Sequence, residues 1–189
     1  MRIGLLGGTF NPVHNGHLAL AEGALTEIPL GRVVWIPAAA NPLKPVEGKV
    51  SAEDRYRMIQ LAIEGNPAFT VSRAEIDRPP PSYSVDTVQQ LQAQTPGRHE
   101  WFFLLGLDAA QGLGTWRQID RLRQLVTFAA VPRPGSNAAD PPAGLKILHV
   151  QTPDISSSEI RRKIQKGESV RGLVPESVRT YIESKGLYR

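Results

Sequence analysis

Six short apolar or β-branched runs, at residues 2–6, 32–37, 69–76, 100–106, 125–131 and 146–150, alternate with segments whose apolar residues recur at helical spacing. Strands separated by connections long enough for a helix do not pair as hairpins, so this order predicts a parallel sheet with its helices packed on the faces. The expected fold is α/β, a doubly wound parallel sheet flanked by helices. The 189 residues suffice to bury one sizeable core. They read as a single domain over 1–189, with the α/β core over 1–150 and a C-terminal helical part over 151–189.

Local signals agree with this Rossmann-like arrangement. Ser51 followed by Asp54 reads as a capping box ahead of Tyr56, Ile59 and Ile63, and Val85, Val88 and Leu91 keep a helical period. Ser156 or Ser157 caps a helix carrying Ile160 and Ile164 that ends near Gly167. Pro175 suits a first helical position, and Gly186 a helix stop. Breaks at 37–45, 79–81 and 133–144 read as surface loops, the first two following strands, where parallel sheets carry their ligand loops.

The stretch GGTFNPVHNGH, Gly7 to His17, follows the first strand directly. Strand, glycine pair and helix start expose backbone N–H groups and a helix N-terminus to an anion. Neither G-x-x-x-x-G-K-[ST] nor G-x-G-x-x-G is present, so a different phosphate loop is required. With a helix starting near Asn15–Gly16, Asn15 serves as its cap, His14 and His17 flank its first turn, and Gly16 lets a ligand approach the backbone. Two imidazoles beside open N–H donors suit a phosphate. Zinc is the rival chemistry for histidines three apart, but the sequence offers them no evident third ligand, and no protein-held metal is expected. His99 and His149 read as structural or solvated.

The net charge is +4, with Arg161, Arg162, Lys163, Lys166 and Arg171 close together, which favours anionic partners. Aromatic residues make up only 6% and no RNA-binding motif is present, so phosphates on a small molecule are expected rather than nucleic acid. The absence of cysteine removes disulfides, thiol nucleophiles and Cys-type zinc sites. No run of 18 apolar residues is found, so the expectation is a cytoplasmic protein with no membrane partner.

GGTFNPVHNGH resembles the signature of the H-x-G-H nucleotidyltransferase superfamily, and ISSSEIR at Ile155–Arg161 resembles its second signature, I-S-S-T-x-I-R. SYSVDT at Ser82–Thr87, GLD at Gly106–Asp108 with Trp116 beyond it, and RPG at Arg133–Gly135 resemble the internal motifs of bacterial nicotinate-nucleotide adenylyltransferases, in order. The resemblance spans nearly the whole chain. Two departures stand out: Ser158 replaces the usual Thr, and Leu43 in NPLK replaces the His that many relatives carry.

The resemblance implies transfer of the adenylyl group of ATP to nicotinate mononucleotide, releasing pyrophosphate, by in-line attack without a covalent intermediate. It assigns His17 to the α-phosphate as main catalytic donor, His14 to the neighbouring phosphates and Arg161 to the β- and γ-phosphates. ATP is also expected to meet Gly7, Gly8, Thr9, Phe10, Gly106, Asp108, Ile155, Ser156 and Ser157. The mononucleotide is expected to meet Asn41, Lys44, Tyr83, Ser84, Trp116 and Arg133. Mg²⁺ is expected to arrive with ATP. A homo-oligomer is compatible with the sequence. The alternatives are another phosphate acceptor, such as nicotinamide mononucleotide, a nucleotide sensor on the same fold, or a nucleic-acid binder.

Overall fold

A computed structural model of the chain describes residues 1–39, 50–132 and 142–189. Its six strands are β1 (Arg2–Gly8), β2 (Arg32–Pro37), β3 (Phe69–Val71), β4 (Glu100–Gly106), β5 (Thr127–Val131) and β6 (Leu145–Ile147). They form one sheet in the order β3-β2-β1-β4-β5-β6, and each neighbouring pair is parallel. The helices are α1 (Asn15–Glu27), α2 (Ala52–Ile63), α3 (Ser84–Gln94), α4 (Leu107–Ala110), α5 (Ile119–Leu125), α6 (Ser157–Gln165) and α7 (Glu176–Lys185).

Both faces of the sheet are covered, as a parallel sheet requires. Side chains alternate along each strand, so Leu6, Val33, Trp35 and Leu104 pack with α1, α2, α6 and α7, through residues such as Ala24, Ile59, Ile160 and Val178. Their neighbours Leu5, Val34, Ile36 and Phe103 point the other way and pack with α3, α4 and α5, through Val88, Leu107 and Leu122. The helices after residue 151 therefore share a core with the first two helices.

The boundaries depart from the sequence reading where turns interrupt. The third run ends as a strand at Val71: Ser72 still donates to the Trp35 carbonyl, but the Asp77 N–H then bonds back to the Arg73 carbonyl and carries Ala74 and Glu75 off the sheet. Leu125 completes α5, so β5 starts at Thr127. Pro175 is the cap of α7 rather than its first residue, while Gly186, at φ +60°, ends that helix as expected. The Ser51–Asp54 capping box is formed in both directions.

Gly23 brings α1 close to the chain leaving β6. A Cβ built there would lie 2.2 Å from Val150 Cγ1 and 2.4 Å from Cγ2. Alanine gains helix propensity of at most about 1 kcal/mol, against an overpacking cost of about 1–3 kcal/mol. Gly23→Ala is thus expected to lose about 1 kcal/mol, lowering Tm in calorimetry by about 2–4 °C. A higher Tm would mean that Val150 yields without cost.

Candidate active site

The sheet order reverses between β1 and β4, and ligands of open parallel sheets sit outside the carboxyl ends of the strands at such a point. Gly8 ends β1 there and Gly106 ends β4. The glycine pair is needed for space: a Cβ on Gly7 would come within 3.2 Å of the Phe103 ring, and one on Gly8 within 3.0 Å of the Phe10 ring. Phe10 holds a left-handed backbone at φ +49°, uncommon for a bulky residue and the kind of strain found at functional loops.

His14 is the N-cap of α1, and Asn15 is the first helical residue. Asn15 is drawn out of the cap because its side chain donates to the Gly172 carbonyl at 2.8 Å and its N–H to the Leu173 carbonyl at 3.0 Å. His17, one turn along, accepts the His14 backbone N–H at Nδ1. An accepting Nδ1 carries no proton, so the neutral ring is protonated at Nε2 and offers that N–H as a donor. The two imidazoles stack with centroids 3.7 Å apart, and the edge of Phe10 packs on His17 at 4.9 Å. Gly16 leaves room for this stack, since a Cβ there would be 3.1 Å from His14 Nδ1.

The C-terminal part docks on the same loop. Ser156 caps α6 by accepting the Glu159 N–H. Ser157 donates from Oγ to the Pro12 carbonyl at 2.9 Å, and Arg161, one turn later, donates to the Asn11 carbonyl at 2.9 Å. Tyr188 donates to Asn11 Oδ1 at 2.7 Å, and burial pushes its phenol well above the ordinary range. Asn11 and His14 are three residues apart, at most about 11 Å of chain. The imidazole pair and the Arg161 side chain, which reaches in from α6, therefore meet at one compact loop.

Beside this loop lies a cavity of about 520 Å³ whose lining includes Gly7, Gly8, Tyr83, Phe103 and Trp116. Trp116 is half-buried; its ring meets Phe103 edge-on at 5.5 Å while also lining the cavity, so it serves both packing and site. Tyr83 caps α3 and Ser84 begins it, which turns that helix's first N–H groups toward the same region. Thr87, fully buried, donates to Glu75 at 2.8 Å and receives Arg78 at 2.7 Å, tying residues 75–78 to the first turn of α3. Burial raises the Glu75 carboxyl pKa, against the Thr87 bond and the Arg78 charge.

Among the expected ATP contacts, Thr9 sits half-buried in the loop, and Phe10 is only 2% exposed, its ring packed between His17 and Trp35. Gly106 caps α4, Asp108 is exposed in its first turn and Ile155 packs at the core's edge before α6. Asn41, Lys44 and Arg133 lie outside the described residues. His99 is half-buried, packs against Trp101 and contacts the Pro96 carbonyl, away from the site.

Sequence reading overlooked Arg55. It is 1% exposed and donates to the Thr9 carbonyl at 2.7 Å and the Ala39 carbonyl at 3.2 Å, joining the loops after β1 and β2. One signal was available: Arg55 stands three and four residues before Met58 and Ile59, on the apolar face of α2. Among the described residues no group of three or more His, Asp or Glu side chains could hold a metal.

Residues 5–163 match the cytidylyltransferase-like family. A probable nicotinate-nucleotide adenylyltransferase of Thermus thermophilus is 46% identical, with both chains covered in full. One from Geobacillus thermodenitrificans is 43% identical over 99% of this chain and 86% of its own. The structure of Plasmodium falciparum nicotinic acid mononucleotide adenylyltransferase complexed with NaAD superposes with a TM-score of 0.83 at 16% identity, covering 99% of this chain and 97% of that one, a likeness of fold. The H-x-G-H loop, the docked serine–arginine helix and this full-length similarity together make the chain a member of the nicotinate-nucleotide adenylyltransferases, within the cytidylyltransferase-like family.

Proposed function

We propose that the protein transfers the adenylyl group of ATP to nicotinate mononucleotide, forming nicotinate adenine dinucleotide and pyrophosphate, a step of NAD biosynthesis. The observation that carries this reading is the docking of Ser157 and Arg161 on the carbonyls of Pro12 and Asn11, which joins both phosphate-binding signatures beside an aromatic cavity. Relatives named for this activity match along the whole chain.

The chemistry asks little of the protein beyond placement. A phosphate monoester has its second pKa near 6, so the attacking 5′-phosphate is already largely dianionic at neutral pH and needs no general base. Two polyanions must be aligned and the charge on the reacting phosphorus offset. His17 acts through its Nε2 N–H on the α-phosphate, with Nδ1 held by the backbone of His14. His14 meets the neighbouring phosphates. Arg161 meets the β- and γ-phosphates, where a guanidinium assists the departure of pyrophosphate. The α6 N-terminus, with Ser156 and Ser157, adds donors, and Trp116 stacks on the nicotinate ring.

The donors gathered here, imidazoles, a guanidinium and backbone N–H groups, fit phosphate oxygens rather than a cation. Mg²⁺ would therefore come with ATP, held by phosphate oxygens and water, where it neutralises phosphate charge. Asp108 is the carboxylate near the end of β4 that would meet one of its waters.

The test is pyrophosphate release from ATP with nicotinate mononucleotide and, separately, its amide. Turnover with the acid, and a lower kcat/KM for the amide, is expected; release with neither acceptor would overturn the reading.

A further inference from the structure

Arg117 directly follows Trp116 and lines the same cavity. Its guanidinium lies over the Tyr83 ring, 4.5 Å from the centroid. The side chain is exposed, and among the described residues no carboxylate pairs with it. The next residue, Gln118, holds a left-handed backbone at φ +53°, a strained turn that separates Trp116 and Arg117 from α5. The carboxyl among the cavity's lining residues, Glu75, is engaged by Thr87. Ser82, 4% exposed, also lines the cavity, and its Oγ has no hydrogen-bond partner among the described residues.

We infer that Arg117 is a specificity-determining residue that reads the ring carboxylate of the acceptor. This rests on the acceptor proposed above. The flat ring is taken by the aromatic wall of Trp116 and Tyr83, and the 5′-phosphate must reach the α-phosphate of ATP, which the imidazole pair holds. In this reading the cation stacked on Tyr83, on the same aromatic wall, stands by the ring's substituent. Stacking on the tyrosine holds the planar fork in one orientation, which suits two-point contact with a carboxylate. An amide offers the guanidinium one neutral oxygen and no charge. Arg117 thus supplies a contact that distinguishes the acid from the amide.

The experiment measures kcat and KM of the wild type, Arg117→Gln and Arg117→Lys with the acid and amide mononucleotides. Arg117→Gln should raise KM for the acid about tenfold, the loss expected for an exposed charge-assisted contact. KM for ATP and for the amide should not change, so the acid-to-amide ratio of kcat/KM falls by the same factor; Arg117→Lys should recover part of it. An equal loss for acid and amide would assign the cation to the phosphate or the ring and overturn the inference, as would an unchanged ratio. Wild-type turnover of the acid tests the proposed function separately, so the two failures are distinguishable.

Discussion

Replacing His17 with alanine should lower kcat about a hundredfold or more, the usual cost of removing one preorganised donor to a reacting centre. KM for the mononucleotide should change little, because His17 belongs to the loop and not to the aromatic cavity. The same change deletes the acceptor of the His14 N–H, and a lost cap costs about 1 kcal/mol. His17→Asn separates the two roles: its side-chain oxygen can still take the N–H, so the midpoint of thermal unfolding should return while kcat stays low. A His17→Ala enzyme with kcat within a few-fold of wild type would remove His17 from the chemistry.

That double duty shows what the sequence could and could not convey. The order of runs is enough to predict a parallel sheet, since helix-length spacers leave strands little alternative. The glycine pair that ends β1, the two histidines and the capped helix at Ser156 were legible because each meets a local rule of turns, caps or helix starts. The cap itself went to His14 instead of Asn15, because Asn15 is claimed by Gly172 and Leu173, more than 150 residues away. No local propensity encodes that choice. Tyr188 on Asn11, and the Glu75–Thr87–Arg78 bonds that steady the first turn of α3, escaped for the same reason. Trp116 defeats a choice between core and site, because its ring packs edge-on with Phe103 while the residue lines the cavity.

Arg55 is the strongest case of a residue whose role only the folded chain reveals, and its loss should be felt in stability and in nucleotide binding together. Its guanidinium holds the carbonyls of Thr9 and Ala39, so a single side chain fixes the spacing of the loops after β1 and β2. Burial lowers its pKa, yet a guanidinium remains charged. Methionine would fill much of the volume of the arginine stem but leave two carbonyls without donors, at about 1–3 kcal/mol each, partly offset by no longer burying a charge. The net expectation for Arg55→Met is a loss of about 3 kcal/mol, or roughly 6–12 °C in Tm for a chain of this size. Because Thr9 sits in the loop proposed to hold the ATP phosphates, KM for ATP should rise in the fraction that remains folded. Arg55→Lys keeps the charge but not the fork, and one ammonium cannot span both carbonyls with the same geometry, so it should fall between wild type and Arg55→Met in both measurements. If Arg55→Met kept the wild-type Tm and the wild-type KM for ATP, the two loops would be held by something else, and the guanidinium would be a passenger in the core.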